Sequence, residues 1–250
     1  VALVLAGGAV WALMRARWTH RTPRLAVLLW HAAGFGVLTG AVGLLLSLGL
    51  APYRKGIVPA LGELTADLRT GAVPPALTPA HLVAVAAGLL LAAALLAAQA
   101  NSRWRLWRQR SRQRMLLRLV ARTDARSHAL VLDHSAAAAF YLPGPSRYVV
   151  ISTGAIRALT EPELAAVLAH EHAHARGRHH LALAPFHALR RAIPSRPVAR
   201  AAACVELLVE MCADDHAARR HGHGAVASAL RRFPQLKDRA APPGAVFQLG

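Results

Sequence analysis

The chain has little acid, almost no lysine and only two cysteines. Of its 250 residues, 12 are Asp or Glu against 30 Lys or Arg, a formal net charge of +18, and Lys55 and Lys237 are the only lysines. Aromatic residues make up 5% and charged residues 17%, while hydrophobic residues reach 55%. A disordered acidic chain or a mucin-like stalk is excluded, and a mean hydropathy of +0.33 is too apolar for an ordinary soluble domain. Cys204 and Cys212 rule out a disulfide scaffold, because on a helix they would stand about 12 Å apart, too far to bridge. Histidine breaks the pattern of scarcity, with 14 residues against six glutamates.

The apolar residues come in runs. Leu25 to Ala51 carries no charge and is interrupted only by His31, Thr39 and Ser47. As a helix this run is about 40 Å long, enough to cross roughly 30 Å of hydrocarbon with tilt. Leu82 to Ala100 is a second uncharged run, about 28 Å long. Val1 to Met14 is a shorter third candidate whose arginines follow the apolar stretch, the reverse of a signal peptide. It lacks an initiating Met, which reads as an alternative start or a chain that begins inside its first helix. Gly36 and Gly40 form a small-xxx-small pair where another helix can pack closely.

Arginine placement sets the orientation. Arg15, Arg17, Arg21 and Arg24 follow the Val1–Met14 run, and Arg103, Arg105, Arg108, Arg110, Arg112 and Arg114 follow the Leu82–Ala100 run. The connection over 52–81 holds only Arg54, Lys55 and Arg69, partly offset by Glu63 and Asp67. The positive-inside rule therefore places the first loop and everything after Ala100 in the cytosol. Arg103-Trp104-Arg105-Leu106-Trp107-Arg108 could stack on nucleic acid, but directly after a membrane helix it reads better as a headgroup-layer anchor.

Beyond residue 127 the pattern turns globular. His128–Asp133, Ala138–Leu142 and Tyr148–Ser152 are short strands, with Pro143-Gly144-Pro145 breaking the last two apart. Thr160-Glu161-Pro162-Glu163 opens a helix as cap, first-turn proline and capping-box glutamate, and this helix should stop at Gly177. Two more helices are expected over His180–Ala192 and Val198–Arg220. The chain thus divides into a membrane region (1–100) with two or three spans, a basic juxtamembrane segment (101–127), a metal-binding domain (128–235) and a tail (236–250).

His170-Glu171-His172-Ala173-His174 is an H-E-x-x-H motif. Residues i and i+4 share a helix face, so His170 and His174 can offer imidazoles to one zinc ion. Glu171 sits beside them, placed to meet a water rather than the metal, and His172 falls off that face. A catalytic zinc site needs a third protein ligand. His180 is one candidate, completing H-E-x-x-H-x-x-G-x-x-H through Gly177. The other is Glu210 of Glu210-Met211-Cys212-Ala213-Asp214, with Asp214 one turn on, able to fix the tautomer of a ligand imidazole. The acidic pair is preferred, since Gly177 already has a role as a helix stop; Glu206 is its nearest competitor.

Membrane helices, a basic stretch, a strand ending Val-Ile-Ser, then Glu-Leu-Ala-Ala-Val-Leu-Ala-His-Glu-His-Ala-His and later Glu-Met-Cys-Ala-Asp together resemble the BlaR/MecR-type membrane zinc metallopeptidases. These are gluzincins related to HtpX and the CAAX prenyl proteases. The resemblance implies a mostly α protein whose transmembrane helices precede a small α+β zincin-like domain. It implies one zinc ion held by His170, His174 and Glu210, Glu171 as catalytic residue and Asp214 in support. It also implies a protein or peptide substrate, a lipid bilayer around the N-terminal helices, and a place in the bacterial cell membrane with the catalytic domain cytosolic. No Ser-x-x-Lys occurs and no fourth apolar run follows the zinc helices, so the β-lactam sensor of those receptors has no counterpart in these residues.

On this reading peptide is hydrolysed by a metal-activated water with Glu171 as base. His216, His221 and His223 are candidates to steady the oxyanion, and substrate lies as an added strand along Tyr148, Val149, Val150, Ile151 and Ser152. The competing reading is a non-catalytic receptor or scaffold that keeps zinc for stability, which would tolerate Glu171→Gln.

Overall fold

Proline and glycine mark where the N-terminal helices begin and end. In the computed structural model, which describes residues 1–72, 74–124, 129–142 and 148–239, α1 (Ala2–Arg15) is followed by α2 (Pro23–Gly49), whose first residue is a proline with no amide to leave unpaired. After α2, α3 (Ile57–Thr70) ends on Gly71 in the left-handed conformation (φ 74°), and α4 (Pro79–Val120) again starts on proline. The connection over 52–81 was given no secondary structure from sequence. Instead α3 buries Ala60 and Leu64 against Leu46, Leu50, Leu77 and Val85.

Among the described residues two helices, α2 and the Pro79–Gln109 part of α4, are long and apolar enough to cross a membrane; only 17% and 11% of their most apolar stretches are buried. α1 is apolar but shorter. Gly36 and Gly40 do meet a neighbouring helix: a Cβ on Gly40 would stand 3.2 Å from the Leu3 backbone of α1, and one on Gly36 3.0 Å from the Ala6 side chain.

The expected juxtamembrane segment is not separate. α4 runs on through the arginines to Val120, because nothing after Gly88 breaks it and Arg, Leu, Gln and Met all favour helix.

Among the described residues, the chain splits into two compact units. The first is Val1–Asn101 with Phe186–Cys204, and the rest of the described chain forms the second. Phe186–Cys204 was read from sequence as part of the metal-binding domain but groups with the N-terminal helices, where Phe186 packs edge-on to buried Trp30 (centroids 6.4 Å).

The second unit carries a four-stranded sheet in the order β1-β2-β4-β3. β1 (Ala121–Asp124) was not expected; β2 (Ala129–Leu132), β3 (Ala139–Leu142) and β4 (Tyr148–Ser152) fall where they were. β2 is antiparallel to β1 and parallel to β4, and β3 is antiparallel to β4.

β4 is therefore interior, and the expectation that Tyr148, Val149, Val150, Ile151 and Ser152 receive a substrate strand is wrong. Both of its hydrogen-bonding edges are taken, with Val150 opposite Leu130 on one side and Phe140 on the other. Burial agrees: Val149, Val150 and Ile151 are each at most 1% exposed, the mark of a strand covered on both faces. Val149 and Ile151 face Leu164 and Leu168, while Val150 faces the other way with Leu130 and Leu142.

After β4 come α5 (Thr153–Ala158), α6 (Glu161–Gly177), α7 (His179–Ala192), α8 (Arg196–His221) and α9 (His223–Arg239). α5 and α9 were not expected, and residues 236–239 belong to α9 rather than to a tail. His128, the Pro143-Gly144-Pro145 break and residues 240–250 lie outside the described residues.

Candidate metal centre

α6 is held at its start and packed closely along its length. The expected capping box forms, with the Thr160 amide donating to Glu163 at 2.9 Å and Pro162 in the first turn. Ala166 and Ala169 pack against Ala217 and Ala218 of α8 and Val226 of α9. Small side chains there let the helices approach, and this brings the polar faces of α6 and α8 together.

Those faces carry the cluster. His170 Nε2 and His174 Nε2 lie 3.0 Å apart, and Glu210 Oε2 lies 3.3 Å from the first and 3.5 Å from the second. Four ligands held about 2.0–2.1 Å from a tetrahedral ion stand about 3.3 Å from one another, so the three spacings suit one zinc-sized cation. Among the described residues, these three form the group of His, Cys, Asp and Glu whose ligand atoms all lie within 4.8 Å of one another. Glu210, rather than His180, joins the two histidines.

Hydrogen bonds aim the lone pairs inward. His170 Nδ1 donates to Asp214 Oδ1 at 2.9 Å, which turns Nε2 toward the cluster. His174 Nδ1 lies 3.0 Å from His179 Nδ1, and donation from His174 leaves its Nε2 facing inward as well. His179 is a partner that the sequence did not single out; its only signal was a run of histidines. Gly177 makes room for it, since a Cβ there would run into the His179 ring. α6 stops at Gly177 as expected, and the left-handed residue that follows is Arg178 (φ 48°).

The electrostatics favour positive charge. Burial alone would lower the pKa of His170, but its bonds to Asp214 and Glu210 outweigh this and raise it to about 10. Burial likewise acts to raise Glu210, and hydrogen bonds from His170 and His174 overcome it, so its pKa is lowered. A site that holds a proton this firmly offers the same charge and lone pairs to a metal ion.

Glu171 stands apart from the three. Burial raises its pKa, opposed by the charges of the two histidines and by the backbone amide of Tyr141, which donates to its carboxylate. This sets Glu171 beside β3, one of the two edge strands of the sheet. An apolar cavity of about 150 Å³ opens between α6 and α9, with His170, Glu171 and Asp214 at one end.

The remaining candidates fall outside the cluster. The His180 ring lies 6.0 Å from that of Tyr141, the His172 Nδ1 lies 2.6 Å from the Leu168 carbonyl, His221 and His223 are exposed, and His216 and Glu206 are half-buried.

Residues 106–195 match the model of peptidase family M48. The match supports a metallopeptidase of that family and covers the strands, α6 with both histidines, and all of α7, ending at Ser195. Glu210 and Asp214 lie beyond it. No curated protein and no solved structure matches the chain.

Proposed function

With the M48 likeness of residues 106–195 as premise, we propose that this chain is a membrane-bound zinc endopeptidase acting at the cytosolic face, in the regulated proteolysis of the BlaR/MecR-type enzymes it resembles. The observation that carries the reading is the convergence of His170, His174 and Glu210 within 4.8 Å, with Glu171 adjoining.

His170, His174 and Glu210 would hold the ion, and Asp214 and His179 orient the two imidazoles. What zinc supplies in such a site is Lewis acidity toward a water and toward the scissile carbonyl. Glu171 takes the proton as water adds to the carbonyl carbon, then delivers it to the departing amine. Its raised pKa brings it nearer to neutrality, where a base can both accept and return a proton. An extended substrate is assigned to the β3 edge, because β4 has no unpaired side and β3 lies next to Glu171. Membrane placement is supported by α2, α4 and the arginine clusters that follow Met14 and Ala100.

Glu171→Gln is the decisive substitution. It should abolish cleavage of an unstructured protein substrate while the purified full chain still carries one zinc. Undiminished cleavage, or a wild-type chain that takes up no metal, refutes the proposal.

A further inference from the structure

Acid is absent from residues 172–205, a stretch that holds six arginines. Four of them flank the turn between α7 and α8: Arg190 and Arg191 close α7, Arg196 and Arg200 open α8, and all four are exposed. Between the two pairs stand Ile193, 44% exposed, and Pro194. The same segment reaches the N-terminal helices, with which it forms one compact unit. The buried Phe186 ring meets Trp30 edge-on at 6.4 Å and His31 at 5.1 Å between centroids.

Trp30 and His31 lie on α2, six and seven residues beyond Arg24, which is about 10 Å along the helix axis. If α2 crosses the bilayer, Phe186 therefore stands just inside the hydrocarbon. It does so at the end of α2 that Arg15, Arg17, Arg21 and Arg24 mark as cytosolic. The uncharged run over 179–189 is 11 residues long, about 16 Å as a helix, and too short to span roughly 30 Å of hydrocarbon. The segment can enter one leaflet but not cross it.

We propose that residues 186–200 are a second membrane anchor, distinct from the spans, that docks on the anionic phospholipid headgroups of the cytosolic leaflet. The proposal rests on the membrane part of the reading above and is independent of the peptidase part. An apolar anchor rimmed by arginine is the pattern of a segment that lies in the interface. Guanidinium groups pair with phosphate two hydrogen bonds at a time, and with no acid in the stretch to balance them, these four complement a negative surface. Each basic residue held near an anionic leaflet is worth roughly fivefold in binding. A dissolved polyanion would satisfy the arginines but leave Ile193 in water, whereas a bilayer covers both.

A local probe decides the question. Ile193 is replaced by p-benzoylphenylalanine in the zinc-loaded full chain, which is then irradiated in nanodiscs of phosphatidylcholine containing a minority of phosphatidylglycerol. The probe should capture lipid, with phosphatidylglycerol enriched about fivefold or more over its share of the disc. Arg191→Gln, Arg196→Gln and Arg200→Gln together should reduce that enrichment to about twofold or less with zinc content unchanged. Capture of protein in place of lipid, phosphatidylglycerol captured only at its share, or an enrichment that survives the triple substitution overturns the proposal. Alkaline carbonate extraction keeps the two readings apart. A chain that it strips from membranes refutes the spans, and capture of phosphatidylglycerol from vesicles by that same chain still decides the anchor.

Discussion

Replacing Asp214 by Asn tests the metal centre without touching a ligand. The carboxylate accepts the Nδ1 proton of His170 at 2.9 Å, which keeps the opposite nitrogen aimed at His174 and Glu210. An amide of the same shape accepts more weakly and carries no charge, so the imidazole loses both basicity and its preferred tautomer. Losing such a partner typically costs 10- to 100-fold in metal affinity, about 1.4–2.7 kcal/mol. Zinc affinity is read at pH 7 by competition with a chromophoric chelator. Glu210→Ala, which deletes a ligand, should cost more than Asp214→Asn, and His180→Ala should cost nothing. The reasoning is refuted by an Asp214→Asn affinity within threefold of wild type, or by a larger loss in His180→Ala than in Glu210→Ala.

Three further outcomes follow from the same contacts. The pKa of Glu163 is lowered to about 2, first by the Ser228 hydroxyl and then by the Thr160 amide, so its stabilisation is complete above about pH 4.5 and is lost as pH falls toward 2; Glu163→Gln should flatten that part of a stability-against-pH curve followed by tryptophan fluorescence. Because burial raises the pKa of Glu171 and a base works only when ionised, kcat/KM should fall on the acid side at a pH above the ordinary carboxylate range, and a limb at or below about pH 4.3 contradicts this. Gly40→Leu drives a side chain into the Leu3 backbone and should lower the thermal midpoint in detergent with zinc content intact, whereas Gly43→Leu, where a Cβ meets nothing within 4 Å, should not.

Much of the site was legible because its chemistry is local. The i, i+4 histidines, the capping box and the E-x-x-x-D pair each depend on helical spacing, and α6 and α8 place them as that spacing requires. What sequence could not supply was which elements meet. His179 opens α7, two residues past the end of α6, so no periodicity aims it at His174; the left-handed Arg178 does. β4 was misread as an exposed edge, although three consecutive apolar residues, Val149, Val150 and Ile151, signal a strand buried on both faces. The four residues of β3 are mostly half-buried, as an edge strand is. α9 escaped notice because Arg231, Arg232 and Pro234 interrupt its apolar stripe, and the tie that holds it pairs residues 65 and 69 positions apart.

The scarcity of acid gives the centre its contrast. A chain of net charge +18 repels a divalent cation at long range, yet at physiological ionic strength that field fades over about 8 Å. Contacts of 3 Å do not fade. Glu210 and Asp214 lie within 3.5 Å of imidazole nitrogens, and Glu171 adjoins them, so three of the chain's 12 acids reverse the sign of the potential at one point. A fourth, Glu163, neutralises Arg232, the cation on α9 that is tied to the start of α6. The arginines are thus kept as a diffuse surface field suited to anionic headgroups, while the few carboxylates act at contact distance, where charge determines which ion is held.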